Sequence, residues 1–317
     1  MRQGVETAVR SGGRLRAPGP PVRGRRGHGR LSEAIVYGAL LTPYGLVMTA
    51  FAIAALLFGI VLSVFNIDLI APSPLQFVKA ANFLVAFGDP TFRSSLELSI
   101  YFLVVPVIIQ VAIGLIAALA LQSWRSSSAV QAVILVPMFV PPVTSGLFWK
   151  LIMTPGLGGL DSLLSALGLP SPDWLTHSGP ALAAVTIADV WEWFPFAFVF
   201  LLAALKGVPQ EPYEAARVDG ASEFQIFRRI TLPLLRIPLA TASLLELVNA
   251  LFLLPLIYTL TGGGPGQATE PLDYYAFVQG FQYFNLSYAA TLLIILMAIV
   301  LIPSIFLVAR IRRTVNT

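Results

Sequence analysis

The chain has 317 residues, 56% of them apolar and 11% charged, with a mean hydropathy of +0.80. Ordinary soluble domains carry about a quarter charged residues, so much of this surface must meet lipid, and a water-soluble globule is excluded. No cysteine is present, which removes disulfide frameworks, thiolate nucleophiles and cysteine-based metal sites together.

Residues 1–33 form a tail rich in Arg, Gly and Pro with almost nothing apolar to bury, and read as a disordered cytoplasmic segment. Its basic run at residues 23–30 reads as a topology anchor at the lipid surface, and no nucleic-acid partner is expected. The remainder, 34–317, reads as a single all-α polytopic membrane domain. A spanning helix needs about 20 apolar residues, and six runs qualify: 35–65, 96–121, 130–152, 181–205, 230–260 and 286–309. The first and fifth exceed one bilayer thickness, which implies tilt or extension beyond the lipid. Pro106, Pro137, Pro195 and Pro255 are expected to kink their runs unless neighbours satisfy the freed carbonyls.

Of the 20 Lys and Arg, all but Lys79, Arg93 and Lys150 fall in the tail, between runs two and three, between runs four and five, or at the C-terminus. Cations near span ends are retained on the cytoplasmic side. Both termini are therefore expected there, as an even number of spans requires. On the other side, residues 153–180 are expected to hold a short helix at 163–167 capped by Asp161.

Several chemistries are missing. The lysines, Lys79, Lys150 and Lys206, occupy no phosphate-loop context. His28 and His177 have no metal-ligand neighbours, so no metal site is expected. The serines lack a nucleophile-elbow motif. A catalytic constellation is absent, and the chain is not expected to be an enzyme.

The cytoplasmic insertion at 208–233 is polar yet patterned. Pro209 and Pro212 suit a helix start, and Glu211 and Glu214 sit in the first turn, where the helix dipole favours anions. Ala215, Ala216, Val218 and Ala221 offer a small-residue surface. Gly220 breaks or bends the helix, and Phe224, Phe227 and Ile230 continue an apolar stripe toward the fifth run. Spacing alone leaves open an ordinary interfacial helix or a docking element.

Glu214-Ala215-Ala216 with Gly220, Ile230, Leu232 and Pro233 resembles the E-A-A, G, I-x-L-P signature of the membrane permeases of binding-protein-dependent ABC importers. Val136-Pro137, Gly146-Leu147-Phe148-Trp149, Val190-Trp191-Glu192-Trp193 with Pro195-Phe196, and the 260–270 run with its glycines resemble the carbohydrate branch. The first permease of maltose, trehalose and glycerol-phosphate systems is the nearest pattern. The resemblance implies a second six-span permease, two ATPase subunits that bind ATP and Mg, and an external solute-binding protein; this chain itself is expected to hold no cofactor. It implies that Glu214, Ala215, Ala216, Asp219, Gly220, Phe224, Ile230 and Pro233 couple the spans to the ATPases. It also implies a role for the outer Gly262, Gly263, Gly264 and Pro265 turn, uncharged and flexible by composition, in docking the binding protein.

The expected substrate is a di- or oligosaccharide, and its route is sought among polar groups inside the spans. A carboxylate at mid-span costs about 2.5 to 3.5 kcal/mol on insertion scales and so faces a bundle interior or hydrated cavity. Asp189 and Glu192 lie among Trp191, Trp193 and Phe196 on run four; Glu246, Asn249 and Tyr258 lie on run five. Aromatic faces beside hydrogen-bond acceptors suit a sugar, while helix packing and an aromatic belt are the alternative for the tryptophans. The apolar 250–255 stretch departs from the charged pattern of similar carbohydrate permeases. An importer of a polyol, glycerophosphodiester or amino acid would share the coupling segment. An ion-coupled secondary transporter would need an inverted repeat, which the sequence does not display.

Overall fold

The computed structural model describes residues 28–67, 75–122, 128–156 and 158–315, with side chains described from 38 to 313. Tail residues 1–27 and Arg125 lie outside them. Two compact units are present, Met1–Ala55 and Leu56–Thr317. In the first, helix α1 (His28–Val64) starts before the boundary expected at 34 and leaves large apolar side chains such as Leu40 and Phe51 exposed, as a lipid-facing helix does.

The second unit takes in the end of α1, which leads into a two-residue antiparallel pair, β1 (Phe65–Asn66) against β2 (Gln76–Phe77), with Phe65 opposite Phe77. This small pairing is the departure from an all-α chain. Helices α2 (Ala81–Gly88) and α3 (Pro90–Gln122) follow. The third apolar run is not one helix. It is divided into α4 (Ser128–Leu135), a 3₁₀ turn at Pro137–Phe139 and α5 (Pro142–Met153). Pro137, Pro141 and Pro142 each remove a backbone donor within one turn and a half, so a continuous ladder cannot form there. Pro106 and Pro195 behave differently: α3 and α7 (Ser178–Lys206) run continuously through them.

Between α5 and α7 lies α6 (Gly159–Ala166), which begins earlier than the 163–167 helix expected from sequence. Asp161 does not cap it. Its carboxylate instead accepts a hydrogen bond from the Ser171 hydroxyl, and Gly158 occupies the N-cap.

Beyond α7 come α8 (Glu211–Val218) and α9 (Glu223–Ile226), a π-helical turn at Phe227–Thr231, α10 (Leu232–Leu234) and α11 (Arg236–Asn249). The segment bends by 65° between Glu223–Leu234 and Arg236–Phe252. Pro233 and Pro238 flank that bend without amide protons, and the π turn loosens the repeat just before it. The fifth run, expected as one long helix, is thus broken, and a 3₁₀ turn (Ala250–Phe252) separates α11 from α12 (Leu254–Leu260). Then α13 (Leu272–Phe277) passes through a second π turn (Val278–Gln282) before α14 (Leu286–Val315).

Among the described residues, four helices (Gly38–Val64, Pro90–Gln122, Ser178–Lys206 and Leu286–Arg313) are long and apolar enough to cross a membrane, and the bent pair would make a fifth. In the second unit, α3 and α7 form the most extensive helix pair. A Cβ on Gly114 would come within 2.8 Å of the Ala197 Cβ and the Phe198 amide, so only glycine permits this approach. Ala118, Leu121, Phe198, Leu201, Leu205, Leu235 and Ala242 bury the seam between α3, α7 and α11. Gly146 of α5 serves the same purpose against α12, where a Cβ would collide with Thr259.

Candidate functional site

The start of the 208–233 segment folds as two short helices joined by a glycine corner. In α8, Glu211 and Glu214 occupy the first turn and Arg217 the last, matching the helix dipole at both ends. Gly220 has φ +76°; its N–H donates to the Arg217 carbonyl at 3.1 Å, and the Ala221 N–H donates to the Ala216 carbonyl at 2.9 Å. These two bonds define a Schellman motif, whose C′ position favours glycine because a Cβ is strained at positive φ. Space is not the constraint, since nothing described lies within 4 Å of where a Cβ would be. The next helix opens with a capping box that the sequence displays as Ser222-x-x-Gln225: the Gln225 N–H donates to Ser222 Oγ, and the Ser222 N–H donates to Gln225 Oε1. An exposed Arg217–Glu223 pair at 3.4 Å spans the corner.

Glu214, Ala215, Asp219, Gly220, Phe224 and Pro233 are exposed, Ala216 and Ile230 half-buried. Tyr213 and Ile226 supply the buried side of the segment. Val218 and Phe224 are 87% and 69% exposed, so the corner presents apolar side chains next to Glu214 that the described residues do not cover. The apolar stripe expected at Phe224, Phe227 and Ile230 is divided, with Phe224 exposed and Phe227 and Ile230 half-buried.

The in-span acids converge. Asp189 and Glu192 project from α7 and Glu246 from α11; all three are buried, and the charges of Glu192 and Glu246 both act on Asp189. Gln110 of α3, which carries no sequence motif, donates from Nε2 to Asp189 Oδ2 at 2.8 Å. Asn249 donates to Glu246 Oε2 at 3.4 Å. Ser145 of α5 faces Glu192, and the Ala197 backbone faces Glu246, but neither contact has full hydrogen-bond geometry, so Glu192 Oε2 and Glu246 Oε1 lie buried and incompletely satisfied among the described residues. Buried polar atoms are rarely left so, which marks the cluster as a place for a solute, water or another chain.

The aromatic residues of run four divide. Trp191 stacks on Phe148 at 5.9 Å and meets Trp149 edge-on at 5.8 Å, so its ring is part of an aromatic cluster between α5 and α7. Trp193 and Phe196 are half-buried. Tyr258 is 54% exposed and packs edge-on against Phe277, 5.6 Å away.

The glycine turn is more ordered than its composition suggests. Buried Thr269 shares a 2.7 Å hydrogen bond with Thr261, donates to the Gly264 carbonyl and, through its N–H, to the Gly263 carbonyl. Gly263 has φ +84°, and a Cβ there would strike the Tyr274 ring. Gly262 and Gly266 also have positive φ, and Pro265 follows Gly264 in the same closed loop.

A further cluster, silent in the sequence, ties together α2, α3, α13 and α14. Asp89 Oδ2 accepts hydrogen bonds from the Tyr275 and Tyr288 hydroxyls, each at 2.6 Å, and Oδ1 accepts from the Thr91 N–H. Burial pushes the Asp89 carboxyl up, but these donors outweigh it and hold the group below its ordinary value.

Residues 110–316 match the family model described as the binding-protein-dependent transport system inner membrane component. The trehalose/maltose transport system permease protein MalF of Thermococcus litoralis is 38% identical over 211 residues, 66% of this chain and 70% of that protein. The sn-glycerol-3-phosphate transport system permease protein UgpA of Yersinia enterocolitica is 32% identical over 243 residues, 75% of this chain and 81% of that one. Among solved structures, a bacterial ABC transporter involved in import of the acidic polysaccharide alginate aligns with TM-score 0.70 and 20% identity, over 90% of this chain and 99% of the matched chain. Family match, apolar helices and shared fold agree: the chain belongs to the binding-protein-dependent transport system inner membrane components, the multi-pass permease subunits of ABC transporters.

Proposed function

We propose that the chain is one of two permeases lining the membrane pathway of an ATP-driven importer for an uncharged di- or oligosaccharide, with ATP hydrolysed by separate subunits and solute delivered by an external binding protein. The observation that carries the coupling part is the exposed corner at Glu214 to Phe224, whose apolar Val218 and Phe224 stand uncovered beside an acidic first turn. An ATPase subunit gripping that corner would move α9 to α11 as a lever, because the 65° bend transmits displacement of the corner into the membrane. Binding of ATP to the closed ATPase pair then shifts the pathway between its two facing states. In this reading the chain has six membrane segments, the third being the broken α4–α5 stretch, both termini are cytoplasmic, and 34–317 form the permease domain.

For the solute, sequence and chemistry point away from an anion. Neither 189–196 nor 246–273 carries a Lys or Arg, while together they hold Asp189, Glu192, Glu246, Glu270 and Asp273. An anion would meet acceptors without a compensating cation, whereas sugar hydroxyls can donate to them. The names of the relatives include both neutral sugars and glycerol phosphate; this charge pattern favours the former.

The coupling reading is checked by co-purifying the chain with its ATPase subunits. Glu214→Lys and Val218→Glu are each expected to reduce ATPase recovery and solute-stimulated ATP turnover at least tenfold, about 1.4 kcal/mol of lost interface energy. Unchanged assembly and turnover in both would refute it.

A further inference from the structure

Beside the glycine turn lies a polar cavity that neither the coupling corner nor the in-span acids use. It occupies about 380 Å³ between the 262–270 loop, α13 and the π turn at Val278–Gln282, within the ~300–1,000 Å³ typical of small-molecule sites. Gln267, Glu270, Tyr274, Gln279, Gln282 and Tyr283 line it, and no Lys or Arg does so among the described residues.

Glu270 is 7% exposed and has no side-chain hydrogen bond to a described residue; burial alone pushes its carboxyl up. An acid so placed costs its desolvation unless donors arrive from outside the chain. Tyr274 is close enough for its phenol to feel the Glu270 charge. Around them the backbone is held in uncommon shapes. Gln267 has φ +71° and Phe284 φ +56°, left-handed values that a side-chain-bearing residue keeps only when its surroundings over-determine them. The π turn re-aims Gln279 and Gln282 relative to a regular helix.

We infer that this cavity is an outer acceptor subsite for an uncharged, hydroxyl-rich solute, in which Glu270 and the three glutamines hydrogen-bond hydroxyls while Tyr274 and Tyr283 offer ring faces to the C–H side. The inference rests on the carbohydrate reading above and deepens it. Three amides and one carboxylate provide acceptors and donors for several hydroxyls, and tyrosine rings suit the apolar face of a pyranose. A phosphate or carboxylate would face Glu270 with no cation to offset it. With the 262–270 loop outside, as the proposed topology has it, the subsite would receive solute from the binding protein before the in-span acids do.

Because the chain has no cysteine, a single introduced thiol reports on the site. In the assembled transporter, Thr91→Cys, which lines the cavity without being one of the proposed ligands, is labelled from outside with a membrane-impermeant maleimide, with Leu167→Cys at the C-cap of α6 as the distant control. The probes are maltose, trehalose and sn-glycerol 3-phosphate, and uptake of the two sugars is measured alongside. Maltose or trehalose is expected to slow labelling at Thr91→Cys but not at Leu167→Cys, while glycerol phosphate does neither. Adding Glu270→Ala is expected to weaken this protection about tenfold or more, the size of a lost hydrogen bond to a charged group; the isosteric Glu270→Gln should weaken it less. Uptake of either sugar without protection, or protection that survives Glu270→Ala, overturns the subsite and leaves the carbohydrate reading intact. Absence of both uptake and protection overturns both. Equal protection by glycerol phosphate overturns the charge selectivity on which the subsite is built.

Discussion

At the residue scale, Gly220 separates two explanations of a glycine at an exposed helix corner. A glycine needed for close approach tolerates nothing larger, whereas one needed for its φ tolerates residues that visit the left-handed region. The open space around its Cβ position and the φ of +76° assign Gly220 to the second kind. Gly220→Ala is expected to cost about 1–2 kcal/mol in the corner, the penalty of an L-residue held left-handed. Gly220→Asn is expected to recover part of it, because asparagine accepts that conformation. Solute-stimulated ATP turnover in the assembled transporter reads the difference, and an order of glycine above asparagine above alanine is the expected result. Equal loss in both variants would mean that bulk at the partner interface, rather than φ, is what glycine avoids. Gly114 is the opposite case. Its φ needs no glycine, but Ala197 and Phe198 leave no room for a Cβ.

At the element scale, what the sequence made legible depends on whether a residue's partner is near in the chain. Asp89 illustrates the illegible kind, since its two tyrosine donors arrive from α13 and α14, and nothing near residue 89 signals them. Its consequence is a pH dependence of definite sign. The folded-state carboxyl titrates below its unfolded value of about 3.9, so the stabilisation is complete above that value and disappears as pH falls through the lower, folded one. Thermal unfolding of the detergent-solubilised chain, followed from about pH 6 to about pH 3, is expected to show a larger loss of stability for wild type than for a Tyr275→Phe/Tyr288→Phe variant. Parallel profiles would exclude Asp89 as the acid-sensitive tie. The corner at Glu214 to Phe224 is the legible kind: its proline start, acidic first turn and glycine end were expected from sequence and have that physical basis in the fold, and the Ser222-x-x-Gln225 box, which sequence reading passed over, is equally local. The in-span acids fall between. Their cost in lipid marked Asp189, Glu192 and Glu246 from sequence, but Gln110 and Ser145 entered only through packing of α3 and α5. Trp191 was marked by its type and position, whereas its neighbours Phe148 and Trp149 reach it only through packing of α5 on α7.

At the scale of the whole molecule, the broken third run decides which way the permease faces. Composition and charge suggest six crossings, yet only four continuous helices and one bent pair among the described residues have the length and apolarity of spans. If α4 and α5 together cross, residues 207–222 lie on the cytoplasmic side with the cationic tail, and α6 lies outside. If that stretch dips in and returns, every loop after it changes side, and the corner at Glu214 would face away from any cytoplasmic ATPase. The breaks at Pro137, Pro141 and Pro142 do not by themselves choose, because non-helical backbone at membrane depth is tolerated where protein or water covers it. The cations support the proposed crossing: Lys206, Arg217, Arg228, Arg229 and Arg236 cluster around the corner, whereas 153–180 has no Lys or Arg, the distribution that retention of cations on the cytoplasmic side gives when the third stretch crosses. In intact cells, an impermeant maleimide is therefore expected to label Leu167→Cys directly and Val218→Cys only after the membrane is permeabilised. Both positions are well exposed on the chain, so poor access within the fold would not mimic the result. The reverse pattern would place the corner outside and remove the mechanical link between ATP turnover and the bent fifth segment.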